Sequence, residues 1–145
     1  MAASPLQTWQ FWALLSAGFA ALTAVLAKVG VEGVDPDLAT FIRVLVILPI
    51  LAMILWATGQ YAGLPAIGAK SWAWLAASAV ATGASWICYF RALKLGPAAQ
   101  VAPVDKLSIV FVALIAVVFL GERLSPLAWG GVSLMALGAV LVARG

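Results

Sequence analysis

Five stretches of this chain carry no charged side chain at all. They run from the N-terminus to Ala27, Val44 to Ala69, Ser71 to Phe90, Leu107 to Gly121 and Leu124 to Ala143. An apolar run of ~20 residues is the length needed for a helix to cross a bilayer, so the pattern reads as a series of transmembrane helices. A soluble alternative fails on surface chemistry. Of 145 residues, 66% are apolar and 9% charged, against roughly 25% charged in an average soluble domain, and so few charges do not cover the surface of a small globule. The expected class is an all-α integral membrane protein whose residues 1–145 form a single transmembrane domain. The length accommodates about five spans with short connections. The first stretch has no basic residue before its apolar core and is too long for a signal-peptide h-region, so it is expected to be retained as a span.

Turn chemistry sets the boundaries. Helix starts are marked by a capping residue before proline at Asp35-Pro36 and Ser125-Pro126, by Gly96-Pro97, and by Ser71 ahead of Trp72, because proline suits the first helical turn. Stops fall at Gly30, Gly59 and Gly96. The predicted helices are about 9–29, 36–57, 72–94, 97–120 and 126–143, joined by loops of a few residues. An odd number of spans places the termini on opposite sides of the membrane. Side B is defined here as the face holding the N-terminus, and side A as the face holding the loops near residues 30–35 and 95.

Tryptophans mark one interface and basic residues the other. Trp9, Trp12, Trp56, Trp72, Trp74 and Trp129 fall at side B ends of the predicted helices, as an aromatic belt would. Lys28, Arg91, Lys94 and Arg144 flank side A, against Lys70 and Arg123 at side B. The positive-inside rule favours a cytoplasmic side A, but so small a bias permits insertion in both orientations. The net charge of +3 forms no basic patch, so no nucleic-acid partner is expected. With no histidine and one cysteine, Cys88, the chain offers no common metal constellation and no internal disulfide, and no cofactor is expected. Cys88 lies in an apolar run and reads as core packing.

Three ionisable residues fall inside predicted helices. Arg43 is eight residues beyond Asp35 and Asp105 eight beyond Pro97; at 1.5 Å per residue both lie roughly 12 Å along their helices from side A. Lys106 follows Asp105 but projects about 100° away around a regular helix, so the two would not face one partner directly. Lys28 belongs to the same half of the membrane. Ionisable groups in hydrocarbon are costly unless paired or facing a wet cavity, so these residues point to a polar cavity opening to side A. The alternative is that the second and fourth spans begin later and that these side chains snorkel to the interface; that would leave only about 15 apolar residues after Lys106, short of the ~20 needed. A bridge from Asp105 to Arg43 or Lys28 would be structural, whereas unbridged groups would meet substrate.

The third helix adds a polar stripe. Ser78, Thr82, Ser85 and Tyr89 recur at spacings of four, three and four, one face of a helix. The stripe lines a hydrophilic path, or it allows close helix packing with its hydroxyls bonded to their own helix. Trp86, the tryptophan outside the belt, either stacks on a ligand or fills the core. Pro103 removes a backbone donor near Asp105 and is expected to bend the fourth helix. Gly131 and Gly138, two turns apart, present a small-residue face for packing within the chain or against a second copy.

The run LGERLSPLAWGGVSLMALGAVLV from Leu120 to Val142, with ALKLGPAAQVAPVDKLS from Ala92 to Ser108, resembles the end of an EamA domain of the drug/metabolite transporter superfamily. Leu120-Gly121-Glu122-Arg123 closing one helix and a glycine-rich last helix carry the likeness, which extends over essentially the whole chain. The resemblance implies one five-helix repeat. Most members of the family have two such repeats in tandem, inverted with respect to each other, and export amino acids and other small metabolites. A single repeat resembles relatives that assemble from two copies, and Gly131 with Gly138 is similar to the glycine pair through which small multidrug resistance proteins dimerise.

An inverted second copy of a five-helix chain reproduces a ten-helix inverted repeat with a site near the midplane. The expectation is therefore an antiparallel, twofold homodimer of dual topology in a bacterial inner membrane. Small multidrug resistance proteins carry an acid in the middle of their first helix for proton exchange against cations; Leu15-Ser16-Ala17-Gly18-Phe19-Ala20 has none here. The inner charges Lys28, Arg43, Asp105 and Lys106 are net positive, which favours a small anion or zwitterion such as an organic or amino acid. The expected substrate or coupling residues are Lys28, Arg43, Ser78, Thr82, Ser85, Trp86, Tyr89, Asp105 and Lys106. Competing classes are a cation exporter, a membrane subunit that transports nothing, and an intramembrane enzyme. The last would have to use Ser108 with Lys106, which do not face each other at i, i+2 on a helix.

Overall fold

A computed structural model describes residues 8–145 and is helical throughout its regular structure; the head of the first charge-free stretch, residues 1–7, lies outside the described part. The helices are α1 (Trp9–Gly30), α2 (Pro36–Ala57), a 3-10 helix (Gln60–Ala66), α3 (Ala69–Leu95), α4 (Ala98–Asp105), α5 (Ser108–Phe119) and α6 (Pro126–Arg144). Taking α4 and α5 as one 22-residue segment, five helices are long and apolar enough to cross a membrane.

The expected caps form at two of the boundaries. Asp35 accepts hydrogen bonds from the backbone N–H groups of Asp37 (2.9 Å) and Leu38 (3.1 Å) ahead of Pro36. Ser125 accepts one from Ala128 (3.2 Å) ahead of Pro126. These bonds satisfy orphan donors at the helix starts. Gly121, with φ of 68°, ends the helix before it: the turn carries Glu122 back so that its N–H donates to the Ala116 carbonyl at 3.1 Å. The conformation is one that glycine adopts without a steric penalty.

Three expectations are corrected. The third helix begins at Ala69 rather than at residue 72, because the Trp72 N–H already bonds the Gly68 carbonyl at 3.1 Å and the helix needs no cap at Ser71. The connection before it is longer than a few residues and holds the 3-10 helix, tied to α2 by the Tyr61 hydroxyl donating to the Ala52 carbonyl at 3.2 Å. The fourth helix is not continuous over 97–120. It breaks at Lys106 and Leu107, where three-residue bonds from Leu107 to Val104, Ile109 to Lys106 and Val110 to Leu107 replace the regular four-residue ladder. Pro103, which has no N–H to give that ladder, lies just before the break.

The residues fall into two compact units, 30–94 and the segments on either side of it. In the first, α2 and α3 flank the 3-10 helix, and the turn at 31–34 is held by the Lys94 ammonium, which donates to the carbonyls of Val31 (2.9 Å), Glu32 (3.2 Å) and Val34 (2.9 Å). Val31 and Leu93 beside this clamp are fully buried. In the second, α6 packs on α4 and α5. The buried positions of α6 are Val132 and Ala139, and those of α5 are Ala113 and Ala116. Small side chains at these positions suit close approach of helices in a bilayer, where hydrophobic burial does not drive packing and van der Waals fit does.

Candidate functional site

Within residues 30–94 the last part of α3 returns alongside the start of α2. As the position on α2 advances from Asp37 to Arg43, its partner on α3 recedes from Arg91 to Trp86, the register of antiparallel neighbours. The outermost contact is an ion pair. Arg91 donates through Nε and Nη2 to the two carboxylate oxygens of Asp37, at 3.1 and 2.7 Å, the planar two-point geometry that a guanidinium makes with a carboxylate.

About two turns further in lies Arg43. Its guanidinium carbon is 4.6 Å from the centroid of the Trp86 ring and 5.2 Å from that of Phe90, so the cation rests on aromatic faces. The Tyr89 phenol lies within electrostatic range of it. Arg43 is half-buried, and within residues 30–94 it faces rings rather than a carboxylate.

A groove of about 670 Å³ opens between the same two helices, within the range of small-molecule sites. Asp37, Thr40, Phe41 and Val44 of α2 form one wall, and Leu75, Ser78, Ala79, Thr82, Gly83, Trp86 and Ile87 of α3 the other. Trp86 thus belongs to both features: it borders the groove and carries Arg43. The Thr40 hydroxyl donates to the Pro36 carbonyl and that of Thr82 to the Ser78 carbonyl, both at 2.9 Å, so these hydroxyls spend their protons on their own helices.

Residues 7–144 match the EamA-like transporter family. The chain belongs to that family. It is also 60% identical over 137 residues, 94% of this chain and 97% of the relative, to an uncharacterized transporter in the cobO 3' region of Sinorhizobium sp. No solved structure matches it. The chain is accordingly an integral, multi-pass member of a membrane transporter family, with five membrane-length helices.

In this EamA chain the predicted site residues separate into groups. Ser78, Thr82 and Trp86 border the groove, Tyr89 neighbours Arg43, and Ser85 is exposed on α3 outside the groove. The stripe is therefore not one continuous lining. Among residues 95–145, the Lys106 ammonium donates to the Asp105 carboxylate at 3.2 Å. The contact is one between sequence neighbours, made across the turn by the reach of the lysine side chain. Within the same unit the Lys28 ammonium donates to the Gly96 carbonyl at 3.0 Å, so Asp105 is bridged by Lys106 rather than by Lys28. Cys88, expected in the core, is exposed. A Cβ placed on Gly131 or Gly138 would meet nothing within 4 Å; Gly131 is exposed and Gly138 half-buried on α6.

Asp37, Phe90 and Arg91 were not among the predicted site residues. Their signal lay in the antiparallel order of α2 and α3, which brings the first turn of one beside the last turns of the other. Of the three, only Arg91 carries a reading from the sequence, as one of the basic residues flanking side A.

Proposed function

We propose that this chain is one half of a transporter for small carboxylate-bearing metabolites, amino acids or organic acids, exporting them across a bacterial inner membrane. Two copies inserted in opposite orientations form the unit, and the substrate site is exposed alternately to either side as one copy rocks against the other. Membership of a transporter family supports transport itself; the exposed Gly131 on α6, with room for a side chain beside it, supports contact with a second copy.

The observation that carries the substrate class is Arg43. A guanidinium part-way along a membrane-length helix is costly without a counter-charge. Stacking on Trp86 and Phe90 offsets part of that cost and leaves the edge donors of the guanidinium able to meet a carboxylate in the two-point geometry arginine favours. A substrate anion completes the pairing. Lys28 and the Asp105–Lys106 pair are satisfied within the chain and serve the scaffold or the coupling step.

The test is flux into proteoliposomes for amino acids, organic acids and quaternary cations. Wild-type protein is expected to move carboxylates, and Arg43→Ala to reduce that flux at least tenfold. Transport confined to cations and undiminished in Arg43→Ala would overturn the substrate class.

A further inference from the structure

Asp37 is the charged residue bordering the α2/α3 groove, and its carboxylate is held by Arg91 through two hydrogen bonds, with both side chains still half-exposed. We infer that the Asp37–Arg91 pair is an outer head-group subsite that selects zwitterions, receiving the ammonium at Asp37 and the carboxylate at Arg91 while an apolar substrate body lies in the groove. The inference rests on the reading of the chain as a carboxylate transporter and adds a station before Arg43, six residues and about 9 Å along α2.

Charge balance singles out a zwitterion. An α-amino acid carries its two charges about as close together as the carboxylate and guanidinium are here, so it can enter between them and turn one ion pair into two. A plain carboxylate pairs with Arg91 alone and a plain amine with Asp37 alone, the other half-exposed group being left to water. The zwitterion makes two charge-assisted contacts where either single-charge molecule makes one, and that difference is the discrimination. The body is specified separately. Val44, Leu75, Ala79, Trp86 and Ile87 border the groove, while Thr40 and Thr82 direct their hydroxyl protons to their own helices. The wall therefore suits an aromatic or branched aliphatic side chain and offers little to a polar one.

The experiment compares three probes with one body in proteoliposomes holding the full chain: phenylalanine, 3-phenylpropionate and 2-phenylethylamine. The wild type is expected to take phenylalanine with a KM at least tenfold below either single-charge probe. In Asp37→Asn the KM for phenylalanine rises about tenfold, that for 3-phenylpropionate stays level or falls, and Asp37→Glu retains the preference. A purely structural pair would instead lose both substrates equally. Wild-type transport of 3-phenylpropionate as well as phenylalanine, or a preference unchanged in Asp37→Asn, overturns the subsite and leaves the Arg43 reading standing. Failure of the wild type to move either carboxylate overturns both. Where the Asn variant does not fold, Asp37→Glu and the wild-type comparison carry the test: loss of the preference in Asp37→Glu, or equal wild-type KM values for phenylalanine and 3-phenylpropionate, overturns the subsite.

Discussion

The Lys106 ammonium lies 3.2 Å from the Asp105 carboxylate, a contact made by two adjacent residues at the point where one membrane-length segment is interrupted. At Lys106 and Leu107 three-residue bonds take over from the regular helix, and the flexible lysine side chain reaches its neighbour's carboxylate across that turn. Each neutralises a charge that would otherwise sit about 10 Å into the span from Ala98, at 1.5 Å per residue.

Single and double neutralisations of this pair should therefore differ. Asp105→Asn or Lys106→Gln alone strands one charge in the membrane, and folded yield from detergent extraction is expected to drop several-fold. Asp105→Asn with Lys106→Gln strands none and should recover to within about twofold of the wild type. Size-exclusion profiles of the three variants check this. Equal loss in all three would mean that each side chain acts separately.

The stacking partner of Arg43 sets a second expectation. A cation over an aromatic face contributes roughly 0.5–2 kcal/mol, the larger value when desolvated. Trp86→Phe keeps a smaller ring under the guanidinium and should weaken carboxylate binding about two- to fivefold. Trp86→Leu keeps bulk but no π face and should weaken it about tenfold or more. Isothermal titration with a transported substrate reads both; an equal effect of Phe and Leu would assign Trp86 to packing alone.

These two sites show where the chain's chemistry is written locally and where it is not. Asp35 and Ser125 announce their helices because a cap acts on donors two or three residues away, and Arg43 is conspicuous because charge is rare in an apolar run. The Asp37–Arg91 pair spans 54 residues, and nothing near either residue distinguishes it from an interfacial charge. Pro103 foretells a bend in the fourth span. The interruption itself falls three residues later, at Lys106 and Leu107, where three-residue bonds take over, and lysine and leucine are both good helix formers that carry no breaking signal. The 3-10 helix Gln60–Ala66 was hidden for a related reason: with glycine at 59 and 63 and proline at 65, the segment has no strong intrinsic preference and takes its shape from α2 through Tyr61.

The glycine face of α6 separates packing within the chain from packing between copies. Gly131→Ala and Gly138→Ala meet no atom within 4 Å, and alanine gains about 1 kcal/mol over glycine in a helix interior. The substituted chain should therefore fold at least as stably. Gly131→Leu with Gly138→Leu is expected to shift chemical cross-linking in membranes from dimer to monomer and to abolish flux. Cysteines placed near each terminus should label from both sides of the membrane in the parent protein. Strictly one-sided labelling would exclude oppositely oriented copies, and unchanged cross-linking would assign the glycines to another role.

The turn at Gly121 imposes a backbone requirement. Its φ of 68° is left-handed, a conformation costing an L-residue roughly 1–2 kcal/mol, and it is what returns the Glu122 N–H to the Ala116 carbonyl. Gly121→Ala is thus expected to destabilise the protein by about that amount even though its added Cβ meets nothing within 4 Å. Gly130→Ala, equally free of contact and without positive φ, lies inside α6 and should be neutral or stabilising. Thermal unfolding of the two variants in the same detergent separates strain from space: a lower transition for Gly121→Ala alone is the expected result, and parallel behaviour of the two would show that the turn tolerates a side chain.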